Sequence, residues 1–175
     1  MRKPTENALE RFGRMKMTKS GFFPIFLDIR NANIVFFGGG FIANRRVNVM
    51  SCFDTNLIVV APEITENLQE MKEANEITHI SDSFDEKYLV NANIVIACTD
   101  DNDLNHRIYE CCRERGIMVN NCSNHDECDF YFPGVVQKDN VVVGINAGGH
   151  AHRQAKEIRE KIEEILDERQ DCYRK

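Results

Sequence analysis

Residues 33–43 read NIVFFGGGFIA, and this stretch decides the fold. An apolar run ends on three consecutive glycines and continues directly into a helical pattern, which predicts a strand, a tight turn and a helix start. Gly38, Gly40 and Ala43 match the G-x-G-x-x-G/A fingerprint of a dinucleotide-binding turn. The first glycine permits the turn, the second lets the backbone approach a pyrophosphate, and the small third residue lets the helix pack on the strand. The alternative is a glycine turn that serves only close packing, but the matching flanks favour dinucleotide binding.

Length and charge limit the classes of protein to which the chain can belong. With 175 residues it is long enough for one domain and a small appendage. A formal net charge of −6 disfavours a nucleic-acid partner, and without a long uncharged apolar stretch no membrane span is predicted. Residues 1–20 are polar and of mixed charge and lack the apolar core of a signal peptide, so we expect a flexible extension there.

The seven cysteines include no C-x-x-C pair. A disulfide framework or a zinc ribbon is therefore not predicted, and we expect a cytoplasmic protein. Cys122 and Cys128 flank His125 and Asp126, a pattern that can mark a metal site. We interpret the two cysteines as ordinary small residues on and beside a loop, and we expect no metal.

Apolar runs that suit strands alternate with helical patterns along the first two thirds of the chain. The predicted strands are 34–37, 57–60, 77–80, 94–98 and 117–119, and the predicted helices are 42–53, 63–74 and 103–115. This alternation predicts an α/β fold with a doubly wound, parallel, Rossmann-like sheet and right-handed crossovers. Ligands of such sheets bind beyond the carboxyl ends of the strands.

The predicted strand ends supply the candidate cofactor-binding residues. These are Gly38, Gly39, Gly40, Phe41 and Ile42 after the first strand, Pro62 and Glu63 after the second, and Thr99 and Asp100 after the fourth. No basic residue follows the second strand to pair with a 2′-phosphate, so NAD is favoured over NADP as the cofactor. Glu63 can hold the ribose hydroxyls, or it can simply be an acid in the first turn of a helix.

A different pattern begins after Asn120. Residues 130–136 and 140–145 are two β-rich runs that predict a hairpin outside the alternating unit. The final helical pattern carries an apolar stripe formed by Ala151, Ala155, Ile158, Ile162, Ile165 and Leu166. One striped helix cannot bury itself, so a homodimer is predicted. The expected organisation is a flexible extension (1–20), an NAD-binding Rossmann domain (21–122), and a dimerisation hairpin with a C-terminal helix (123–175).

Five segments, taken in order, resemble the precorrin-2 dehydrogenase family, which forms the NAD-dependent domain of siroheme synthases. They are FPIFLDI (23–29), GGGFIANRR (38–46), VVAPEI (59–64), ACTDDNDLN (97–105) and CDFYFPGVV (128–136). The resemblance covers residues 23–166. It implies oxidation of precorrin-2 to sirohydrochlorin, with hydride passing to NAD, on the route to siroheme or cobalamin. It also implies a homodimer and adds Asn105 to the cofactor-binding candidates.

The implied substrate is a large tetrapyrrole that carries many carboxylates. Because the protein is acidic overall, its cationic contacts with this substrate must be local. The candidate substrate-binding residues lie near the glycine turn and at the start of the last helix, and they are Arg45, Arg46, His150, His152 and Arg153, with Lys156 beside them.

The chain departs from the family's pattern at its catalytic aspartate, whose position carries Ser123. Residues 146–152 also lack the family's serines and proline but contain His150 and His152, and a single helix follows them. These departures predict dehydrogenation without efficient metal insertion, with Ser123 and His125 as the catalytic candidates. Two alternatives stay open: a bifunctional dehydrogenase and ferrochelatase, or a non-catalytic module that binds NAD or a tetrapyrrole.

Overall fold

The computed structural model describes residues 21–148 and 152–173, with side chains described over 21–148 and 153–166. The expected extension at residues 1–20 lies outside these ranges. Residues 21–30 belong to no helix or strand. None of the described helices is long and apolar enough to cross a membrane.

Five parallel strands form the central sheet in the order β3-β2-β1-β4-β5. They are β1 (Ala32–Phe37), β2 (Thr55–Val60), β3 (Thr78–Ile80), β4 (Ile94–Ala97) and β5 (Met118–Asn121). The predicted doubly wound parallel sheet is thus confirmed. The chain reverses its direction of winding between β1 and β4, so the crevice for a ligand lies beyond the carboxyl ends of these two strands.

Three helices cover the two faces of the sheet, and a fourth follows the hairpin. They are α1 (Phe41–Met50), α2 (Glu66–Glu73), α3 (Asn102–Arg115) and α4 (His152–Tyr173). Alternate residues of β1 face opposite sides: Ile34 and Phe36 pack with α1 and α2, whereas Val35 and Phe37 pack with α3. Because both faces are covered, the central strands β1 and β4 are nearly continuous apolar runs.

The second helix begins later than predicted. It begins at Glu66 because the side chain of Thr65 caps it, accepting a hydrogen bond from the backbone N–H of Leu68 at 3.4 Å. The residues before it form a loop beneath the glycine turn, where the backbone N–H of Thr65 donates to the carbonyl of Gly39 at 3.1 Å. The predicted end of α3 is confirmed, since Gly116 adopts the left-handed conformation with φ of +66°.

The predicted hairpin is present, but its first strand begins later than expected. It consists of β6 (Gly134–Lys138) and β7 (Val141–Ile145), which pair antiparallel and pack against α4. Pro133 lacks the backbone N–H that a paired strand would use. The residues before it lie beside β5 instead, where Asn120 and Cys128 form an isolated antiparallel bridge. Strand β5 itself extends to Asn121, two residues beyond the prediction.

Candidate active site

The first two glycines of the turn are required by close packing. Gly38 has φ of +114°, and a Cβ added there would overlap the carbonyl of Cys98 at the end of β4. A Cβ added at Gly39 would overlap the carbonyl of Glu63 and the side chain of Ile64. The turn therefore packs tightly between the loops that follow β2 and β4, and only glycine fits at positions 38 and 39.

Gly40 differs from its neighbours because no atom of the described residues lies within 4 Å of a Cβ added there. It is the N-cap of α1, yet no side chain caps this helix and its first turn has no acid. By contrast, α2 is capped by Thr65 and α3 by Asp101. The start of α1 is thus uncapped and has open space beside Gly40 at the positive end of the helix dipole, which suits the phosphates of a dinucleotide.

Large apolar side chains flank this open position. Phe41 is 75% exposed and Ile42 is 39% exposed in the first turn of α1. Pro62 and Glu63 are also exposed, on the loop after β2, and the hydroxyl of Ser81 donates to the carbonyl of Pro62 at 3.1 Å. These predicted cofactor-binding residues are brought together around the glycine turn.

Asn105 is fully buried on α3 and holds the loop after β4. Its side-chain oxygen accepts from the backbone N–H of Thr99 at 3.0 Å and from the Thr99 hydroxyl at 2.8 Å. Its amide nitrogen donates to the carbonyl of Thr99 at 3.1 Å and to the hydroxyl oxygen of Ser123 at 3.2 Å. Asn105 therefore positions Thr99 and Ser123, while Thr99 and the exposed Asp100 border the crevice.

The hydroxyl of Ser123 takes part in two hydrogen bonds, one as donor and one as acceptor. It donates to the side-chain oxygen of Asn121 at 2.7 Å and accepts from Asn105. The amide of Asn121 in turn donates to the carboxylate of Glu127 at 2.7 Å. An amide between a serine and a carboxylate does not carry a proton from one to the other, so this network positions Ser123 without making it a base.

Glu127 is the carboxylate at the end of this network. His106 donates to it at 2.8 Å, and the amide of Asn124 donates to the same oxygen at 2.8 Å. Burial raises the pKa of Glu127, but the hydrogen bonds it accepts outweigh burial and leave the pKa below its ordinary value. Glu127 is therefore ionised at neutral pH, and it anchors the loop after β5.

The two predicted arginines of α1 differ in their surroundings. Arg45 is exposed. Arg46 is half-buried, with its guanidinium 5.0 Å from the centre of the Phe132 ring and hydrogen-bonded to the side-chain oxygen of Asn120. The Nε of Arg46 is buried and has no hydrogen-bond partner among the described residues. Arg46 thus places a positive charge beneath the carboxyl ends of β4 and β5.

The remaining candidates lie on the last third of the chain. His125 is exposed on a short 3-10 helix, and its ring stacks on that of Tyr131 with 5.7 Å between the ring centres. Arg153 is exposed near the start of α4 and pairs with Glu157 at 3.1 Å. His150, and the side chain of His152, lie outside the described residues.

Sequence reasoning overlooked several polar residues of this site. Asn120 and Asn121 are buried at the end of β5, where they bind the side chains of Arg46 and Ser123 respectively. The sequence did offer a signal for them, since two adjacent asparagines stand at the end of an apolar strand. Buried amide side chains require hydrogen-bond partners, so such a pair indicates a polar site.

The comparisons with known proteins agree with this geometry. Residues 25–134 match the model of a family described as "Putative NAD(P)-binding", which covers most of the chain. The chain belongs to this family. The prediction that the chain is built to bind a nicotinamide dinucleotide is thereby confirmed.

The curated proteins that match this chain are named as siroheme biosynthesis proteins and siroheme synthases. The chain is 34% identical over 149 residues to a probable multifunctional siroheme biosynthesis protein of Ruminiclostridium josui, covering 85% of this chain and 29% of that protein. It is 32% identical to siroheme synthase 1 of Pectobacterium atrosepticum (83% and 30% covered) and 34% identical to the siroheme synthase of Photorhabdus laumondii (83% and 31% covered). The resemblance inferred from the motifs is confirmed, and the chain spans about 30% of the length of these relatives.

The solved structure of a precorrin-2 dehydrogenase has the same fold. It superposes with a TM-score of 0.70 at 19% sequence identity and covers 87% of this chain and 78% of that one. At this identity the similarity supports the fold, and the chemistry has to be argued from the residues of this chain.

Proposed function

We propose that this chain catalyses the NAD-dependent oxidation of precorrin-2 to sirohydrochlorin, without efficient metal insertion. One observation carries the proposal: the uncapped turn at Gly40 opens at the switch point of the sheet, where Gly38 packs against the backbone of Cys98 and Thr99. A dinucleotide held there would present its nicotinamide near the carboxyl ends of β4 and β5. NAD, when bound, supplies the hydride acceptor.

The residues around the turn have distinct proposed roles. The backbone at Gly38, Gly39 and Gly40 holds the pyrophosphate, and Phe41 covers it from the solvent side. Thr99, held by Asn105, fixes the edge of the crevice against which the nicotinamide would lie. Hydride transfer depends mainly on such positioning, so it does not require a carboxylate at residue 123.

The reaction also releases a proton from the substrate. The proton of the Ser123 hydroxyl is directed to Asn121, so Ser123 offers the substrate an oxygen as a hydrogen-bond acceptor and does not act as a base. His125 is exposed two residues further on, and we propose it as the local proton acceptor.

NAD is the proposed cofactor rather than NADP. The loop after β2 consists of Ala61, Pro62, Glu63 and Ile64, and it contains no cation for a 2′-phosphate. The exposed carboxylate of Glu63 would instead accept hydrogen bonds from ribose hydroxyls.

Positive charge near the crevice is proposed to bind the carboxylates of the tetrapyrrole. Arg45 is exposed on α1, and Arg153 is exposed on α4, where it also pairs with Glu157. Arg46 contributes its charge from a fixed position against Asn120 and Phe132. His150 and His152 remain proposed members of this set.

A non-catalytic module that binds NAD or a tetrapyrrole is the second candidate, favoured by the serine at residue 123. Steady-state formation of NADH with precorrin-2 separates the two. We expect NADH to rise together with the sirohydrochlorin absorbance, and both to be absent without NAD. Full NAD binding with no NADH formed would leave the binding module as the function.

We also propose that the chain forms a homodimer through residues 128–166. Although α4 packs on the hairpin, Ile158 stays 41% exposed, Ile165 stays 53% exposed, and Val141 on β7 stays 46% exposed. Large apolar side chains that stay exposed in this way favour a partner that covers them.

Charges placed within this stripe are expected to separate the protomers. Ile158→Glu together with Ile162→Glu should shift the protein from dimer to monomer or aggregate in sedimentation velocity at micromolar concentration, because burying carboxylates in an apolar interface is unfavourable. The matched control is Lys161→Glu, an exposed position of the same helix, which should stay dimeric. A monomeric wild-type protein would contradict the proposal.

A further inference from the structure

Two cysteines lie side by side at the edge of the proposed dinucleotide site. Strands β4 and β5 pair in parallel up to Ala97 and Asn121, and the next residues are Cys98 and Cys122. The backbone N–H of Cys122 donates to the carbonyl of Ala97 at 2.9 Å, which continues the ladder to this pair. Both side chains pack in the core cluster on the same face of the sheet.

This placement meets the geometric requirement for a disulfide. Neighbouring strands lie about 4.8 Å apart, and side chains in register on parallel strands point to the same face. A disulfide joins Cα atoms that are about 4.4 to 6.8 Å apart. Cys98 and Cys122 can therefore be joined without a rearrangement of the sheet.

The two thiols differ in reactivity. The hydrogen bond with Cys122, followed by burial, raises the pKa of Cys98, which is 6% exposed. The hydrogen bond from Cys98 lowers the pKa of Cys122 against the effect of burial, and the charge of Arg46 lowers it further. Cys122 is also the more accessible of the two. A half-buried thiol of lowered pKa beside a buried thiol of raised pKa is the arrangement of an attacking and a resolving cysteine.

We propose that Cys98 and Cys122 are a thiol–disulfide exchange site whose oxidation switches off dinucleotide binding. The Cys122 thiolate attacks one sulfur of a low-molecular-weight disulfide, the external S–S bond breaks, and one thiol leaves. The thiol of Cys98 then loses its proton and attacks the sulfur of Cys122, and the second external thiol leaves. The two cysteine thiols are oxidised to a disulfide, and the external disulfide is reduced to two thiols.

The pair is coupled to the glycine turn through Cys98. The sulfur of Cys98 lies 4.0 Å from the carbonyl oxygen of Gly38. The backbone N–H of Cys98 donates to the carbonyl of Phe37 at 2.9 Å. Gly38 has no space even for a Cβ against the carbonyl of Cys98. A disulfide would turn the sulfur of Cys98 away from the carbonyl of Gly38 without moving the strands, so the turn would lose this contact next to Thr99. The loss of affinity for NAD, but not the disulfide itself, rests on the proposed function.

The test compares reduced protein with protein treated with hydroxyethyl disulfide. Peptide mapping by mass spectrometry identifies the linked cysteines, and calorimetric titration with NAD measures the affinity of each form. We expect a Cys98–Cys122 linkage, an affinity at least about tenfold weaker than that of the reduced protein, and full recovery with dithiothreitol. Cys98→Ala should stop at a mixed disulfide on Cys122. Cys52→Ser, which removes an exposed thiol elsewhere, should behave as wild type.

Several results would overturn the inference. These are no internal linkage, a linkage of Cys122 to another cysteine such as Cys128, or a linked protein that binds NAD as tightly as the reduced one. Reduced protein that fails to bind NAD would instead contradict the proposed function. The peptide map would then still show whether Cys98 and Cys122 form a disulfide, because that result does not depend on NAD binding.

Discussion

Gly40→Val is expected to lower the affinity for NAD at least about a hundredfold, which corresponds to about 2.7 kcal/mol. The backbone of Gly40 has φ of −82° and ψ of −164°, a conformation open to any residue, and within the described part of the chain no atom lies within 4 Å of its Cβ position. The valine methyl groups would therefore occupy the space through which the pyrophosphate approaches the start of α1. The fold should be preserved, so calorimetric titration would show lost binding while the melting temperature stays close to that of wild type.

Two other glycines provide the controls. Gly116→Ala strains a left-handed C-cap remote from the turn, so it should cost about 1 kcal/mol of stability and leave NAD affinity unchanged. Gly38→Ala should reduce both stability and affinity, because its Cβ would overlap the backbone of Cys98. A folded Gly40→Val protein that binds NAD normally would show that the dinucleotide does not approach this glycine.

The parts of the fold that follow from local patterns were predictable. The glycine turn, the alternation of strands and helices and the stop of α3 at Gly116 each depend on residues that are close in the chain. The start of α2 was misplaced because the cap is Thr65, and nothing in the helical pattern of 63–74 separates the capped start from the loop before it. Likewise, the hairpin was extended back to residue 130 because apolar side chains beside β5 follow the same pattern as a strand.

The contacts that define the site are mostly long-range. The bond from Arg46 to Asn120 and the pairing of Cys98 with Cys122 depend on the order of the strands. The strand order of doubly wound sheets would have placed the residues after β4 and β5 side by side, and so would have brought the two cysteines together. The role of Asn105 could not be read in this way, since its burial depends on how α3 packs over the loop at Thr99.

Ser123→Asp is expected to raise the rate of Fe²⁺ insertion into sirohydrochlorin at least about a hundredfold above a slow wild-type rate, as the addition of a general base does. Metal insertion requires a base that removes the pyrrole protons, and the Ser123 hydroxyl donates its own proton to Asn121. An aspartate there would still accept from the amide of Asn105, while the side-chain oxygen of Asn121 would repel it towards the open crevice. The formation of NADH from precorrin-2 should change much less, because it depends on positioning.

Ser123→Asn is the matched control, since asparagine has the shape of aspartate without its basicity. Both variants are assayed for siroheme absorbance with sirohydrochlorin and Fe²⁺, with NADH formation followed in parallel. An equal gain in Ser123→Asn would assign the effect to shape rather than to proton transfer.

His125→Ala tests the local substitute base, and it should slow both NADH formation and the residual iron insertion of the wild type. Rapid iron insertion by the wild type that is unaffected by His125→Ala, and by the same change at His150 and His152, would show that another group removes the pyrrole protons. Ser123 would then not be what limits metal insertion in this chain.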